Sequence, residues 1–447
     1  LNSNSTYGRL FLSLFHLVLG ILLLIGIVTK VYSTLIVAVG ILFIIKSKNE
    51  HNQAMMWSAY LVGAEVLFRM SGGMFFYELP KYTVLIFLVT GLYVERKKHH
   101  ISITYLVYIL LLLIGIAFSN IPFNESIRKA IAFNLSGPIL LGVSAIYFYK
   151  RNITLQNLMN MLFYMALPII SMLSLLYFKT PDIKSIAFGT SANFAASGGY
   201  GPNQVATNLG VGVFIFGVHL VLKKRFFLLF FIDVLVFMYL IYRGLITFSR
   251  GGMVTAFIAI AFFLFFYMLS TKNKIKDFTK YIGLIFVIGI VLWIYAANVT
   301  GGMLINRYTN KNAAGIAKKD ISTGRIQIFK SELGEFMEHP FFGIGVGSGK
   351  FYREGRLDKV VASHNEISRL LGEHGMIGLV ILFLLIVVPI KNMRNQPPLA
   401  KAFLGSFFIF WFLTINHSAM RIAFPGFIYG LSVSIILMNE KNNLHRE

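Results

Sequence analysis

Cysteine is absent from this 447-residue chain, which excludes disulfides, thiolate nucleophiles and cysteine-ligated metals. Acidic residues are few, 18 in all, and they form no Asp-x-Asp pair and no outer-face carboxylate cluster suited to Mg²⁺ or Mn²⁺. A His-Glu-x-x-His run is missing too, so neither a metal nor another cofactor is expected. Internal repeats, linkers and low-complexity tracts are also lacking, which leaves residues 1–447 as a single domain. The first apolar run, from about Leu10 to Val28, has no small-residue cleavage site and is too long for a signal-peptide core, so it reads as a retained anchor.

What is abundant is apolar sequence. Hydrophobic residues make up 56% of the chain against 13% charged, and runs near the length of a bilayer-spanning helix recur from end to end. Fourteen segments qualify, near 10–28, 31–45, 53–70, 82–94, 101–118, 128–148, 155–177, 203–222, 226–242, 250–269, 279–298, 365–389, 402–416 and 422–438. Several are short or interrupted. The expected fold is therefore all-α, a polytopic integral membrane protein of about 12 to 14 transmembrane helices.

A net charge of +23 could suggest nucleic acid, but the basic residues sit in short clusters between apolar runs, where they set orientation in a membrane. No nucleic-acid partner is expected; membrane lipids are. The clusters at Lys46/Lys48, Arg96-Lys97-Lys98, Lys150-Arg151, Lys223-Lys224-Arg225, Lys272 to Lys280 and Lys391/Arg394 fall on one side, with both termini, and that side reads as cytoplasmic. The long loops 178–202 and 299–364 then lie outside. The second is itself basic, with Arg307, Lys311, Lys318 and Lys319, and presents a surface that attracts anions.

Four helix starts on the outer side carry polar motifs. Gly201-Pro202-Asn203-Gln204 follows a Gly-rich turn that includes Tyr200. Ser249-Arg250-Gly251-Gly252 opens a span; Arg250 either snorkels to headgroups or faces a site, and two glycines costly in a helix favour close approach of a ligand. Thr323-Gly324-Arg325 opens an amphipathic loop helix ending before Pro340, with Ile326, Phe329, Leu333, Phe336 and Met337 on one face and Glu332, Glu335 and Glu338 solvated. Taken alone, Arg325 reads as a solvated loop arginine. Together with Arg250 it reads as a bidentate anion clamp at a helix start. Ser363-His364-Asn365-Glu366 has capping-box spacing, which leaves His364 at the first helical position and free to act as a proton acceptor. Glu373 and His374 follow before Gly375. Glu65 and Arg69, four apart, are expected to pair with each other, whereas Asp233 has no evident partner. The run Gly343 to Lys350 imitates a nucleotide loop but carries Ile344 and Phe351 where that loop needs Gly and Ser or Thr, so it reads as a tight turn.

Taken in order, Asn203 after the Gly-Pro turn, Ser249 to Gly252, Gly324-Arg325, His339 to Gly345, and His364-Asn365 with Glu373 to Gly378 resemble the bacterial O-antigen ligase and O-antigen polymerase superfamily. The resemblance covers about residues 190–385, and its last two blocks are the most specific. It implies a membrane glycosyltransferase of the second GT-C architecture in the bacterial inner membrane, working on the extracytoplasmic face. The implied donor is a glycan on undecaprenyl diphosphate. Implied acceptors are another lipid-linked repeat, the lipid A core or a protein hydroxyl, and a chain-length regulator is an implied partner. The resemblance also implies that Arg250 and Arg325 bind the diphosphate and that His364 acts in catalysis, without metal and with inversion. Asn203, Tyr200, Asn365 and Glu373 are the expected secondary contacts. Polymerase is the preferred reading, with ligase the alternative. A lipid-linked glycan transporter would show repeats and midplane charges instead. A peptidoglycan polymerase would need an outer-loop aspartate, and neither Asp320 nor Asp358 stands in a convincing motif.

Overall fold

A backbone N–H or C=O in lipid has no water to bond, so the apolar runs close their hydrogen bonds internally as helices. A computed structural model describes residues 6–95, 100–227, 229–270, 274–318, 320, 322, 324–357 and 361–438. The chain proceeds through α1 (Thr6–Leu22), α2 (Gly26–Lys46), α3 (Gln53–Met70), α4 (Leu79–Val94), α5 (Ile103–Ala117), α6 (Ile127–Phe148), β1 (Asn152–Thr154) and α7 (Leu155–Lys179). It continues with α8 (Pro202–Val221), α9 (Phe230–Ile246), α10 (Arg250–Ser270), α11 (Lys274–Val299), α12 (Met303–Tyr308), α13 (Arg325–Glu338) and α14 (Gly349–Leu357). The last elements are α15 (Glu366–His374), α16 (Met376–Arg394), α17 (Pro398–His417), α18 (Phe424–Ser432) and β2 (Ile435–Leu437).

The protein is thus nearly all-helical and polytopic. Among the described residues, seven helices, α2, α6, α7, α8, α10, α16 and α17, are long and apolar enough to cross a membrane, and α1, α4, α5 and the stretch Gly283–Val299 of α11 are shorter apolar helices. Helices α3, α7 and α8 are buried along most of their length and form the centre. Helices α1, α2 and α16 turn large apolar side chains outward, as a lipid-facing wall requires.

Two expected spans are built differently. The segment 365–389 is two helices, because Gly375 adopts φ +60° and ψ −137° and separates α15 from α16. The segment 422–438 is the nine-residue α18 followed by β2, which pairs in parallel with β1 in the register Asn152↔Ile435. Beside this pairing Arg151 donates to Glu95 at 2.6 and 3.0 Å, joining the ends of α4 and α6. Asp233, unassigned in sequence, accepts the backbone N–H groups of Phe226 and Phe227 at 2.9 and 2.8 Å and fixes the turn into α9. Glu65 and Arg69 do pair.

Glycine decides where the outer segment can pass. Gly343, Gly345 and Gly347 all have φ between +70° and +82°, so residues 343–347 thread between α5 and α15 as a succession of left-handed turns. Their backbone is clamped by Ile344 N–H to Gly372 O at 3.0 Å, Gly345 N–H to Glu373 O at 3.1 Å and Val346 N–H to Gly115 O at 3.0 Å. The nucleotide-loop look-alike is a packing device. A Cβ at Gly345 would lie 2.2 Å from the Phe118 carbonyl oxygen. Gly345→Ala should therefore cost about 1–2 kcal/mol for the left-handed backbone alone, with the clash in addition. The check is a lower unfolding midpoint in detergent; an unchanged midpoint would show that the thread is not under this constraint.

Candidate active site at the outer helix ends

The site is organised by charges that the sequence suggested were solvated. Glu332 and Glu335 of α13 are each 1% exposed, while Ile326 and Met337 of the same helix are 56% and 74% exposed. The expected face is reversed at Glu332 and Glu335, while Glu338 is exposed as expected. The acidic face packs on α15 and is neutralised there: Arg353 of α14 donates to Glu332 at 3.0 Å, Ser368 of α15 donates to Glu332 at 2.5 Å, and Ser331 donates to Glu335 at 3.2 Å. On α15 itself Arg369 pairs with Glu366 and, at 2.5 Å, with Glu373, and reaches the Asn134 carbonyl of α6 at 3.2 Å. Burial pushes the Glu332 and Glu335 carboxyls up, Glu335 to about 7, against the pull of Arg353. Buried charges of this kind hold only when paired and hydrogen-bonded, so the knot dictates how α13, α14 and α15 meet.

That meeting places two sequence-predicted residues together. Arg325, the first residue of α13, and His364, just before α15, line one cavity of about 220 Å³ with Phe329, Glu332, Asn365 and Asn416. Arg325 also lines an adjoining cavity of about 220 Å³ with Asn203, Arg250, Arg307, Ser322 and His417. One guanidinium is therefore shared by both chambers, with His364 on one side and Arg250 on the other. Arg250 Nη1 donates to Asn310 Oδ1 at 2.8 Å, and Arg307 donates to the Phe248 and Thr190 carbonyls at 3.0 and 3.1 Å. Among the described residues no carboxylate lies within ion-pair reach of Arg250, Arg307 or Arg325. Burial, and then repulsion from the neighbouring arginines, lowers the guanidinium pKa of Arg325 and Arg307. Such a cluster concentrates positive charge with no carboxylate to offset it, the electrostatics that attract an anion.

His364 is half-buried, its Nδ1 is sealed from solvent, and its carbonyl accepts Ala419 N–H at 3.1 Å. Burial, followed by repulsion from Arg421, Arg325 and His417, pushes its imidazole down to about 3. The ring is neutral at physiological pH and presents a lone pair. It does not sit at the first helical position, however. Asn365 is the N-cap, accepting Ile367 and Ser368 N–H groups at 2.8 and 3.2 Å, and Ser363 instead closes a turn onto Asn365. The capping box does not form because Asn365, next to the first helical residue, caps the open N–H groups itself, while Glu366 is held by Arg369.

Other expectations need correction. Gly251 and Gly252 do not make room for a ligand: a Cβ there would strike His417 at 2.3 Å and the Ala206 backbone at 2.4 Å, so they let α10 pack on α17 and α8. The open N–H groups at the start of α13 are partly used, Gly324 N–H by Asp320 at 2.6 Å and Ile326 N–H by Ser322 at 3.2 Å, so anion binding there rests on the guanidinium. Thr323 and Asp358 lie outside the described residues. Of the secondary contacts, Asn203 lines the Arg250 chamber and accepts from Ser249 at 2.8 Å, and Asn365 lines the His364 chamber. Tyr200 sits apart, beside Gln204. Glu373 is buried and committed to Arg369 and to Gly347 N–H, not turned to a cavity.

Sequence reasoning missed His417 and Arg421. Arg421 Nη2 donates to the Ser363 carbonyl at 2.9 Å, and its own carbonyl accepts from Arg69 at 3.2 Å, so it holds the turn that carries His364. His417 Nδ1 bonds the Leu413 carbonyl at 2.8 Å, leaving Nε2 toward Thr207 at 3.5 Å and the Arg250 chamber. A histidine and an arginine at the mouth of an apolar run were visible by the same logic that singled out Arg250.

Residues 234–383 match the family described as O-Antigen ligase, a stretch that includes Arg250, Arg307, Arg325 and His364. The chain carries an O-antigen ligase domain. The match supports the O-antigen ligase and polymerase superfamily, a family that implies glycosyltransferase-like ligase or polymerase activity on lipid-linked glycans in a membrane. No curated protein matches the chain. From outside the matched stretch, Asn203 and His417 line the Arg250 chamber, Asn416 lines the His364 chamber, and Arg421 holds the turn that carries His364.

Two outcomes follow from the geometry. Arg353→Met leaves buried carboxylates without their cation and should destabilise the protein by about 3–5 kcal/mol, read as a lower unfolding midpoint and faster proteolysis of the 299–364 loop. In the ligand-free protein the ¹⁵N signals of His364 should remain those of a neutral ring between about pH 8 and pH 5. Protonation near the ordinary histidine value would overturn the electrostatic account of the site.

Proposed function

We propose that the protein is an extracytoplasmic glycosyltransferase that joins lipid-linked oligosaccharide repeats, acting as a polymerase of undecaprenyl-diphosphate-linked glycans. The observation that carries this reading is the shared position of Arg325 between a chamber lined by Arg250 and Arg307 and one lined by His364. A diphosphate bridging the two arginine-bearing walls would leave its glycosyl carbon toward His364. The acceptor hydroxyl attacks the anomeric carbon, the bond from that carbon to the phosphate oxygen breaks, and undecaprenyl diphosphate departs with the bonding pair. The hydroxyl proton passes to His364, and the anomeric configuration inverts.

Electrostatics ties the two halves of the step together. The arginine field that depresses His364 in the empty site is what a diphosphate would neutralise, so donor binding raises the basicity of the imidazole. A base that strengthens only when the donor is seated favours transfer over idle protonation. Charge growing on the leaving oxygen is met by guanidinium groups, the role a divalent cation plays elsewhere. Asp320 is occupied in capping the turn before α13, which weighs against a reading in which that residue carries catalysis.

The test is purified protein with a defined undecaprenyl-diphosphate repeat unit and chelator, products resolved by gel. A ladder of lipid-linked oligomers is expected. Arg250→Ala and Arg325→Ala should each lower the rate by about 10²–10³-fold without loss of folding. Persistence of the ladder in either variant would sink the clamp. Transfer seen only when a lipid A core is supplied would make the protein a ligase using the same two chambers.

A further inference from the structure

The turn that carries His364 belongs to no helix or strand, so its backbone is held from outside. The Val361 carbonyl accepts from Arg353 Nε at 2.9 Å. Arg421 Nη2 donates to the Ala362 and Ser363 carbonyls at 3.4 and 2.9 Å, and Ala419 N–H donates to the His364 carbonyl at 3.1 Å. Three of these four carbonyls are thus held by residues 418–423, the connection between α17 and α18. The imidazole is placed only as well as that connection is.

One buried ion pair of α3 fixes the connection in turn. Glu65 accepts the Ala423 N–H at 2.5 Å, and Arg69, its partner one turn on, donates through Nη1 to the Arg421 carbonyl at 3.2 Å. Tyr77 reinforces the same carbonyl, its hydroxyl donating there at 3.3 Å. The Arg69 guanidinium lies over the Tyr77 ring at 3.8 Å, and Nη2 donates to the Tyr77 carbonyl at 2.8 Å. The other chamber is reached from the same side chain. Arg69 Nη1 also donates to Gln204 Oε1 at 2.9 Å, in the first turn of α8. Next to it, Asn203 lines the Arg250 chamber and accepts from Ser249, the residue before Arg250. An ion pair that merely joined α3 to α18 would need no partner on α8.

We infer that Arg69, held by Glu65, is a positioning residue for glycosyl transfer, setting the register between the wall that carries Arg250 and the turn that carries His364. The inference rests on the reading of His364 as the proton acceptor. A planar fork suits arginine to this task. Its two terminal nitrogens reach α3, the Tyr77 loop, α8 and the connection before α18 in fixed directions. Lysine would keep a charge beside Glu65 but offers a single point on a flexible stem. Lost register removes no group from either chamber. The arginines that face the donor stay in place while the base is displaced from the glycosyl carbon, which lowers the rate of transfer and not the affinity for donor.

Arg69→Lys is compared with the wild type in the gel assay with the undecaprenyl-diphosphate repeat unit. The kcat is expected to fall about 10²-fold, with KM for the donor within about twofold of wild type. The ¹⁵N signals of His364, read without substrate, supply a measure that lost stability alone would not move. In the variant the ring should begin to protonate between about pH 8 and pH 5, because a released turn carries it toward solvent. Ring signals that match wild type would overturn the inference. So would an unchanged kcat in a protein whose ladder depends on His364. A ladder that survives His364→Ala removes the transferase role of the histidine, and the ring signals then decide the positioning by themselves. If Arg69→Lys does not fold, Gln204→Leu and Tyr77→Phe each cut one link and should each lower kcat about fivefold. Wild-type rates in both variants would end the proposal.

Discussion

The end of this protein that carries the arginine cluster depends on one buried knot of charge. Glu332 and Glu335 of α13, Arg353 of α14, and Glu366, Arg369 and Glu373 of α15 are withdrawn from water together and satisfy one another. Carboxylates at such burial are tolerable only with their guanidinium partners in place, which makes the arrangement all-or-none. Because α13 begins with Arg325 and His364 immediately precedes Asn365, the N-cap of α15, the geometry that neutralises the knot also sets the two groups at the cavity. The ions paired within the knot and the arginines left without a carboxylate are separate populations here, joined by the helices that carry both.

The contrast between those populations is informative. In the knot every arginine has carboxylate partners. A short distance away, Arg250, Arg307 and Arg325 gather with backbone and amide partners and no carboxylate in reach among the described residues. Mutual repulsion there is a standing cost, offset when an anion arrives. The O-antigen ligase domain supplies these three arginines, while α8, α17 and the turn before α18 supply Asn203, His417 and Arg421. The cluster of cavities is therefore a property of the whole bundle and not of the matched stretch alone.

The helices were legible because lipid leaves an apolar run little choice, and Arg250, Arg325 and His364 were legible because polar residues at helix starts stand out against such runs. The orientation of α13 was not. Periodicity locates its two faces, but which one is buried turned on partners from Arg353 and Ser368 that local sequence cannot anticipate. Gly251 and Gly252 were misread for a related reason: a glycine beside an arginine reports close approach, and the approaching partner was α8 and His417 rather than a substrate. Arg421 and His417 escaped because they come from a distant part of the chain. Asp233 needed the turn at Phe226 and Phe227, six and seven residues back, before its role could be seen.

The reversal of α13 bears on modularity. An outer loop that kept its apolar face inward could be lifted from one relative and set on another. This one has its ionic face pressed to α15 and turns Ile326, Met337 and Phe341 outward. Excised, it would expose both a set of uncompensated charges and an apolar stripe, and would have no fold of its own. Exchange of specificity between relatives by recombination would have to carry α13, α14 and α15 as one block, with crossovers falling before Arg325 and after Gly375.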